Sequence, residues 1–489
     1  MLGVRKRFRP LLTKLHLRLQ PLLARVLKPL AKQQAADSAD LARLEHVLNI
    51  DPPKTILVLG AAGFIGRQLI PALRHDGYRI VAGLRAGGVR PFELEQLGQE
   101  IRYLEIDFQQ AVNPQQWLAA LHGVDVVINT VGIFEETANQ RFDLLHAQAP
   151  AALFKACKET GVELLIHLSA LGADAAASSA YHLSKKAGDD ALRELDSPGF
   201  ILQPSLIYGT EGLSSQWFSW LASLPFVMLP AGGRQMLQPI HVDDVVALIA
   251  RLIRQVPPGA VTLPVVGANA LSLRAYLQSL RQQMGLGKLW VLSLPMGVAR
   301  WIAGLAQRWP QQMLTRESLA MLERGSTAEV KDMQAILGRT PKPVQQFISP
   351  QDGVFVRQRA LLGWGLSLLR FILVIVWIGT GVVSLAVYPH AQSYELLGQL
   401  GLHGDVALVA FYGAACLDIA LGFAIWLCRR RQWVWRLQIS VILIYTLCLS
   451  LALPEFWQHP FGPLLKNIPI LALTYFLLQM ESNDGLPRR

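Results

Sequence analysis

The sequence predicts an α/β domain, built on a doubly wound parallel sheet with a small substrate lobe, followed by an all-α membrane domain of four transmembrane helices. Residues 53–350 have a globular composition, in which apolar runs alternate with helical patterns, whereas residues 361–482 are almost uncharged over long stretches. Of the 489 residues, 52% are hydrophobic and only 17% are charged, compared with about 25% charged in ordinary soluble domains. Part of the chain is therefore expected to lie in lipid.

The first 48 residues form a basic arm. Residues 1–33 contain nine Lys or Arg residues and no acid, so most of the net charge of +11 is located there. Apolar residues recur at spacings of three and four from Leu11 to Leu30, which predicts a cationic amphipathic helix interrupted by Pro21. Such a helix binds anionic lipid, although a targeting segment or a solvated extension can have the same composition. The rest of the chain is nearly neutral, so no nucleic-acid partner is expected.

A glycine-rich loop follows the first predicted strand, Ile56–Leu59. A strand, a glycine loop and a helix in this order are typical of a dinucleotide-binding Rossmann domain. Glycine lets the chain turn sharply and lets a pyrophosphate approach the backbone, while the first helical turn supplies N–H donors. The predicted cofactor contacts here are Gly60, Gly63, Phe64, Ile65 and Gly66.

The end of the second strand, Arg79–Gly83, indicates which nucleotide binds. An NAD site usually has an acid there to hold the ribose 2′-hydroxyl, but no acid occurs from Gly77 to Arg90. Arg85 is present instead, and a guanidinium suits a 2′-phosphate. The sequence therefore favours NADP(H) over NAD(H), unless Arg85 is only a solvated loop charge.

Two further strand ends carry polar side chains. The third strand ends in Asp107, which we expect to accept a hydrogen bond from the adenine amino group. The fourth strand ends in Asn129 and Thr130, near the expected path of the nicotinamide ribose.

Candidate catalytic residues follow the fifth strand, Leu164–Leu168. Ser169 comes directly after it, and Tyr181 and Lys185 lie four residues apart, on one face of a predicted helix. The ammonium of Lys185 can lower the pKa of the phenol and contact the cofactor ribose, so Tyr181 can exchange a proton as hydride moves. Ser169 is expected to orient the substrate oxygen.

The segment Ser214–Pro230 is rich in aromatic and aliphatic residues. It can line an apolar substrate pocket, contact the bilayer or simply pack in a core.

Four C-terminal stretches approach or reach the roughly 20 apolar residues needed to cross a bilayer. They are Phe371–Tyr388, Val406–Cys428, Leu437–Leu453 and Ile468–Met480. The loop after the second stretch and the C-terminus are rich in arginine, so the positive-inside rule places the soluble domain and both termini in the cytoplasm, with the protein multi-pass in the cell inner membrane.

One acid, Asp418, lies deep within the second apolar stretch. It is expected to contact a proton, ion or ligand, or to form a buried hydrogen bond with a neighbouring Ser, Thr or Tyr. The four cysteines show no metal-ligand spacing, so no metal site and no disulfide framework are predicted. They are Cys157, Cys416, Cys428 and Cys448.

The motifs of residues 54–350 resemble the extended or atypical branch of the short-chain dehydrogenase/reductase superfamily. These motifs are GAAGFIG, Tyr181 with Lys185, QPSLIYG and QPIHVDDVVALI. The resemblance implies a Rossmann fold with a substrate lobe over about residues 205–350. More narrowly, the motifs HLSALGAD and LTRESLAMLERG resemble those of bacterial relatives of the nucleotide-binding accessory subunit of respiratory complex I. This resemblance implies that a bound NADPH has a structural role.

The membrane part is similar to DoxX-like four-helix proteins, through LDIALGF and HPFGPLLKNIPILAL. Together these features predict a membrane-anchored NADP(H)-dependent oxidoreductase acting on a hydrophobic substrate such as a quinone, an isoprenoid or a lipid-linked sugar. An epimerase or dehydratase and a non-catalytic NADPH-binding assembly or sensor protein remain alternatives. Membrane lipid is the expected partner, and a homo-oligomer or a respiratory-chain partner is left open.

Overall fold

A computed structural model describes residues 53–85, 87, 91, 101–137, 139–306, 315–428 and 431–481. The basic arm, Arg90 and the C-terminal arginines lie outside the described residues. The strands are β1 Thr55–Leu59, β2 Arg79–Leu84, β3 Arg102–Glu105, β4 Val126–Asn129, β5 Leu164–Leu168, β6 Gly199–Pro204, β7 Ile207–Tyr208, β8 Phe226–Pro230, β9 Met236–Leu237, β10 Ile240–His241, β11 Ala260–Val265, β12 Leu271–Ser272 and β13 Trp290–Leu294.

The described α-helices alternate with these strands in the first half of the chain. They are α1 Phe64–His75, α2 Gln115–Leu121, α3 Ala149–Thr160, α4 Ala180–Glu194, α5 Leu213–Ser223, α6 Val242–Leu252, α7 Leu273–Gln283, α8 Met296–Ala306, α9 Arg316–Arg324, α10 Lys331–Leu337, α11 Pro350–Val382, α12 His390–Gln399, α13 Gly404–Leu427, α14 Gln432–Ala452 and α15 Asn467–Met480.

Seven strands form the main sheet, in the order β11-β6-β5-β4-β1-β2-β3. The pairs β1–β2, β1–β4, β2–β3 and β4–β5 are parallel. Strands β1, β4 and β5 are buried over most of their length, because helices cover both faces of such a sheet. The order reverses beside β1, as in a Rossmann fold, so the predicted fold class is confirmed.

The chain divides into two compact units. The first contains Met1–Ser169, Ser184–Ile201 and Ile249–Thr262, and the second contains Ala170–Leu183, Leu202–Leu248 and Leu263–Arg489. Buried residues of the first unit, such as Trp117 and Phe154, form its main core.

The second unit contains a lobe and the membrane helices. The lobe holds three small two-stranded sheets, β7–β10, β9–β12 and β8–β13, around a core that includes Tyr208, Tyr276 and Phe347.

One long helix, α11, runs from the lobe into the membrane domain. Its N-cap is Ser349, whose hydroxyl accepts from the backbone N–H of Asp352 at 3.1 Å, and Pro350 occupies the first turn. No further proline occurs before Pro389, so the helix runs on without a break and begins about twenty residues before the predicted first span. Val356 and Ala360 belong to the lobe core, whereas Leu373 and Trp377 belong to the core of the membrane helices.

Three described helical segments are long and apolar enough to cross a membrane: Pro350–Val387, Gly404–Leu427 and Gln432–Ala452. The fourth predicted span is the shorter apolar helix α15, whose 14 residues rise about 21 Å, less than the roughly 30 Å of a hydrocarbon core. The predicted helical membrane domain is confirmed, with three helices of spanning length among the described residues.

Charged and polar side chains gather around Glu481 at one end of the membrane helices. Its Oε1 accepts from Arg370 Nε at 2.6 Å, and its Oε2 accepts from Trp435 Nε1 at 3.1 Å. Arg431 Nη1 lies 4.0 Å from Oε1. These contacts join the start of the first span, the loop between the second and third spans and the end of α15, so successive helices run in opposite directions.

Asp418 is buried in α13, and its Oδ1 has no hydrogen-bond partner among the described residues. The hydroxyl of Tyr445 on α14 is likewise without a partner in the described chain. No described hydroxyl therefore donates to this oxygen of Asp418. A proton, ion or ligand contact at Asp418 stays a prediction.

Candidate functional site

The glycine loop between β1 and α1 is too crowded for side chains. Gly60 has a φ of +78°, and a Cβ built there would lie 2.7 Å from Thr130 Oγ1. A Cβ at Gly66 would collide with the backbone of Gly60 and Ala61. The loop therefore keeps its backbone bare beside the first turn of α1, whose N–H groups lack helical acceptors. This cradle fits a pyrophosphate, with Gly63 as the N-cap.

Arg85 follows β2 directly and is exposed to solvent. No carboxylate is present in the stretch from Gly77 to Arg85 that would compete for it or hold a ribose 2′-hydroxyl. The role of Arg85 in nucleotide selection stays a prediction.

The remaining predicted cofactor contacts also hold parts of the fold together. Asp107 accepts from the backbone N–H of Gln109 at 3.0 Å, so it caps a turn after β3. Asn129 is buried, accepts from the backbone N–H of Val131 at 3.1 Å, and has its Nδ2 3.2 Å from His167 Nδ1. Thr130 Oγ1 donates to the carbonyl of Leu59 at 2.8 Å. Contacts of these three residues with adenine or ribose stay predictions.

Lys185 on α4 is buried at the carboxyl ends of β4 and β5. Its Nζ donates to the carbonyl oxygens of Leu168 at 3.1 Å and Val131 at 3.5 Å. Gly132 allows this approach, because a Cβ there would lie 2.9 Å from Nζ. Burial removes water from the ammonium and lowers the pKa of Lys185 to about 8, while the negative charge of Asp189 acts in the opposite direction.

Asp189 is a residue of this site that the sequence analysis missed. It is fully buried one turn after Lys185, and its Oδ2 accepts the hydroxyl proton of Ser169 at 2.8 Å. Its Oδ1 lies 3.7 Å from His167 Nε2. The spacing was visible in the sequence, because Tyr181, Lys185 and Asp189 recur every four residues along one helix.

Ser169 therefore donates to a protein carboxylate in this structure. A serine hydroxyl has one proton, so its oxygen can accept from a substrate hydroxyl, but it can donate to a carbonyl only after turning away from Asp189. Its predicted role with substrate remains a prediction.

Two buried histidines surround the ammonium of Lys185. His146 Nε2 accepts from the backbone N–H of Ile133 at 3.0 Å, and its Nδ1 lies 2.9 Å from Ser184 Oγ. Burial, followed by the positive charge of Lys185, lowers the pKa of His146 to about 2 and that of His167 to about 3. Both rings are therefore neutral near pH 7, and Lys185 is the cation of this cluster.

Tyr181 lies in the first turn of α4, one turn before Lys185, and is buried. Its ring makes an edge contact with His182, with 5.3 Å between the ring centroids. The helix thus presents Tyr181, Lys185 and Asp189 on the same side, as the spacing requires.

The segment Ser214–Pro230 has more than one environment. Ser219 and Ala222 are buried, while Trp217 and Trp220 line a cavity of about 320 Å³ between α5 and the first part of α11. Phe226 and Met228, in contrast, are exposed. Core packing and pocket lining therefore both occur within this segment.

Similarity to known proteins agrees with this geometry. Residues 56–263 match the NAD dependent epimerase/dehydratase family, and residues 374–475 match the DoxX-like family. The chain is 32% identical over 193 residues, 38% of its length, to the mouse protein NADH dehydrogenase [ubiquinone] 1 alpha subcomplex subunit 9, mitochondrial. The matched stretch spans about half the length of that relative and of its rat counterpart.

A bacterial relative and a solved structure are also similar. The chain is 26% identical to a ceramide reductase of Caulobacter vibrioides, over 48% of this chain and 72% of that protein. The crystal structure of gox2253 superposes with a TM-score of 0.50 at 20% identity, covering 63% of this chain and 98% of that one, which supports the fold. The chain therefore combines a dinucleotide-binding Rossmann domain similar to the NAD dependent epimerase/dehydratase family with a helical membrane domain similar to the DoxX-like family.

Proposed function

We propose that this protein is a membrane-anchored, NADP(H)-dependent reductase of a carbonyl group on a hydrophobic substrate. The observation that supports this most directly is the buried Lys185, whose pKa is lowered to about 8, one helical turn from Tyr181. An ammonium in this position favours the ionised form of a nearby phenol. Such a pair is suited to proton transfer rather than to structure alone.

The proposed chemistry assigns one task to each residue. Bound NADPH would supply the hydride. Tyr181 gives its proton to the carbonyl oxygen as the alcohol forms and recovers a proton from solvent. Lys185 stabilises the transient phenolate and holds the ribose, while Ser169 orients the substrate oxygen. Asp189 supports the charge of Lys185 and accepts the hydroxyl proton of Ser169 until that hydroxyl turns to donate to the substrate carbonyl.

The membrane domain and the lobe support a hydrophobic substrate. The cavity between α5 and α11 has aromatic walls at Trp217, Trp220 and Phe355. The similarity to a protein named ceramide reductase supports a ketone on a long-chain lipid as the substrate class. Quinones, isoprenoids and lipid-linked sugars belong to the same hydrophobic class.

A second candidate is a non-catalytic NADPH-binding subunit. The 32% identity to a subunit of NADH dehydrogenase favours it, and in that case the cofactor would stabilise the fold. An epimerase or dehydratase, which the family name also covers, would use the same Tyr181 and Lys185.

We also propose that the cluster around Glu481 faces the cytoplasm of the cell inner membrane. Arg370, Arg431 and Arg436 lie at or near this end of the helices, whereas the loops at residues 389–405 and 454–466 have few basic residues. The positive-inside rule then places both termini and the soluble domain in the cytoplasm.

Tyr181→Phe removes the transferable proton and keeps the ring against His182. We expect NADPH oxidation with long-chain keto lipids to fall at least about 100-fold, since a general acid contributes that much or more. Absorbance at the nicotinamide band measures the rate in detergent, and calorimetry should register unchanged NADPH binding. Tyr103→Phe on β3 is the control. If the natural chain binds NADPH yet oxidises it with none of these lipids, the reductase proposal fails and the structural role gains.

Arg85→Ala tests the nucleotide preference. Loss of a charged hydrogen bond to the 2′-phosphate should weaken NADPH binding at least about tenfold, and NADH binding much less. Arg79→Ala, at the opposite end of β2, is the matched control. Equal weakening for the two nucleotides would remove the reason for preferring NADP(H).

Asp189→Asn tests the pH dependence of the site. Asp189 raises the pKa of Lys185, so its neutralisation should lower that pKa below about 8. Lys185 then loses its charge at a lower pH, and the alkaline limb of kcat/KM should move downward. Asn can still accept from Ser169, which preserves the local hydrogen bond. Asp190→Asn is the control, because the carboxylate of Asp190 pairs with Lys186 and Arg193, and it should leave the alkaline limb in place. An upward shift of the limb in Asp189→Asn would contradict the assignment.

Topology reporters test the orientation. Alkaline phosphatase fused after Arg489 should be inactive, because that enzyme needs the oxidising exterior, and a fluorescent protein at the same position should be bright. Phosphatase inserted at Gly401, in the loop before α13, should be active. The reverse pattern would overturn the proposed topology.

A further inference from the structure

Four large apolar side chains form an exposed face on the small parallel sheet of β8 and β13. Phe226 pairs in register with Trp290, and Met228 pairs with Leu292. Their exposures are 58%, 66%, 58% and 57%, whereas Val227 and Leu229, which alternate with Phe226 and Met228 along β8, are buried. The alternation fixes which side faces outward. We call these four side chains the apolar face.

The neighbouring helix α5 ties this sheet to a defined level of α11. Trp220 packs on Gly363, where an added Cβ would lie 2.9 Å from the indole. Trp364 Nε1 donates to Ser223 Oγ at 3.2 Å, and β8 begins only three residues after Ser223. The start of the apolar face therefore lies near the level of Trp364.

That level is close to the bilayer. Arg370 and Glu481 mark the charged end of the membrane helices, and the helix from Phe371 onward is free of charge through Val387. Trp364 precedes Arg370 by six residues, about 9 Å of helical rise. The head-group layer on each side of a bilayer is roughly 5–8 Å thick. Phe226, at the start of β8, therefore lies at about the outer limit of the head-group layer.

The chemistry of the apolar face matches this layer. Trp and Phe are suited to the interface between hydrocarbon and water. Lys288 Nζ lies over the Trp290 ring, 5.5 Å from its centre, so the sheet carries a cation beside its largest exposed aromatic side chain, where lipid phosphate can be attracted. Four such side chains in one exposed patch are a feature of interaction surfaces.

We propose that the apolar face lies on the surface of the same bilayer that holds the membrane helices, as a second membrane contact. Proximity to Arg370 and the pairing of Trp290 with Lys288 favour lipid over a protein partner. This contact holds the lobe close to the lipid. It does not depend on the proposed reductase activity.

Depth-dependent quenching tests the contact in the full-length protein. Met228→Cys is made in a background where Cys416, Cys428 and Cys448 are replaced by alanine, and it is labelled with an NBD fluorophore. The protein is reconstituted into phosphatidylcholine–phosphatidylglycerol vesicles that carry nitroxide on the head group or on carbon 5 of an acyl chain. The background protein that keeps Met228 has Cys157 as its remaining cysteine. Its fluorescence therefore measures any labelling of Cys157, which is buried.

We expect the label at Met228→Cys to lose most of its emission in the vesicles with nitroxide on the head group and less of it in those with nitroxide on carbon 5, since the face lies at the level of the head groups. Leu292→Cys should behave alike, which guards against a folding defect in one variant. Val354→Cys, also an exposed apolar position, is the control, because it lies sixteen residues or about 24 Å of helical rise from Arg370 and should not be quenched.

Two results would overturn the proposal. A label at residues 228 and 292 that emits as in water and is not quenched would place the face in solution. A blue-shifted label that nitroxide lipids do not quench would show that protein covers the face, either a second copy or another part of this chain.

Discussion

The burial of one ammonium group constrains the arrangement of the candidate site. Lys185 has almost no contact with water, and an isolated buried cation is costly. Main-chain carbonyls at the ends of β4 and β5 accept from it, and Asp189 supplies a negative charge one turn away. Residue 132 is a glycine because a Cβ there would lie only 2.9 Å from Lys185 Nζ. Neutral histidines fill the surrounding space, so the charge at this edge of the sheet belongs to the helix that carries Tyr181.

The fold of the nucleotide-binding part follows from patterns that are local in the sequence. Ile56–Leu59 is a continuous apolar run, and Gly60 and Gly66 have roles that depend only on nearby backbone, so strand, loop and helix could be predicted together. The hydrogen-bond partners of buried polar groups could not be predicted from the sequence. Asp189 and Ser169 are twenty residues apart, and their hydrogen bond exists only once β5 and α4 have packed. The contact between His146 and Ser184 likewise forms only when separate elements of the fold pack together.

The membrane part shows a similar division. Hydrophobicity predicted where the spans lie, because each residue contributes independently to transfer into lipid. It did not predict that the first helix begins at Pro350, since nothing in an apolar count registers an N-cap. Nor did it predict the cluster around Glu481, in which side chains from separate helices meet. Such contacts depend on how the helices pack, which no single segment encodes.

The continuity of α11 has a practical consequence for anyone who wishes to produce the nucleotide-binding part alone. Val356 and Ala360 complete the interior of the lobe, and Trp364 bonds to Ser223, so a chain cut at residue 350 would lack part of its own core. A chain that keeps those residues ends in the middle of a helix whose next turns are made for lipid. Truncation between the two halves would therefore leave either an incomplete lobe core or an exposed apolar helix end that promotes aggregation. The protein should be expressed with its membrane helices intact.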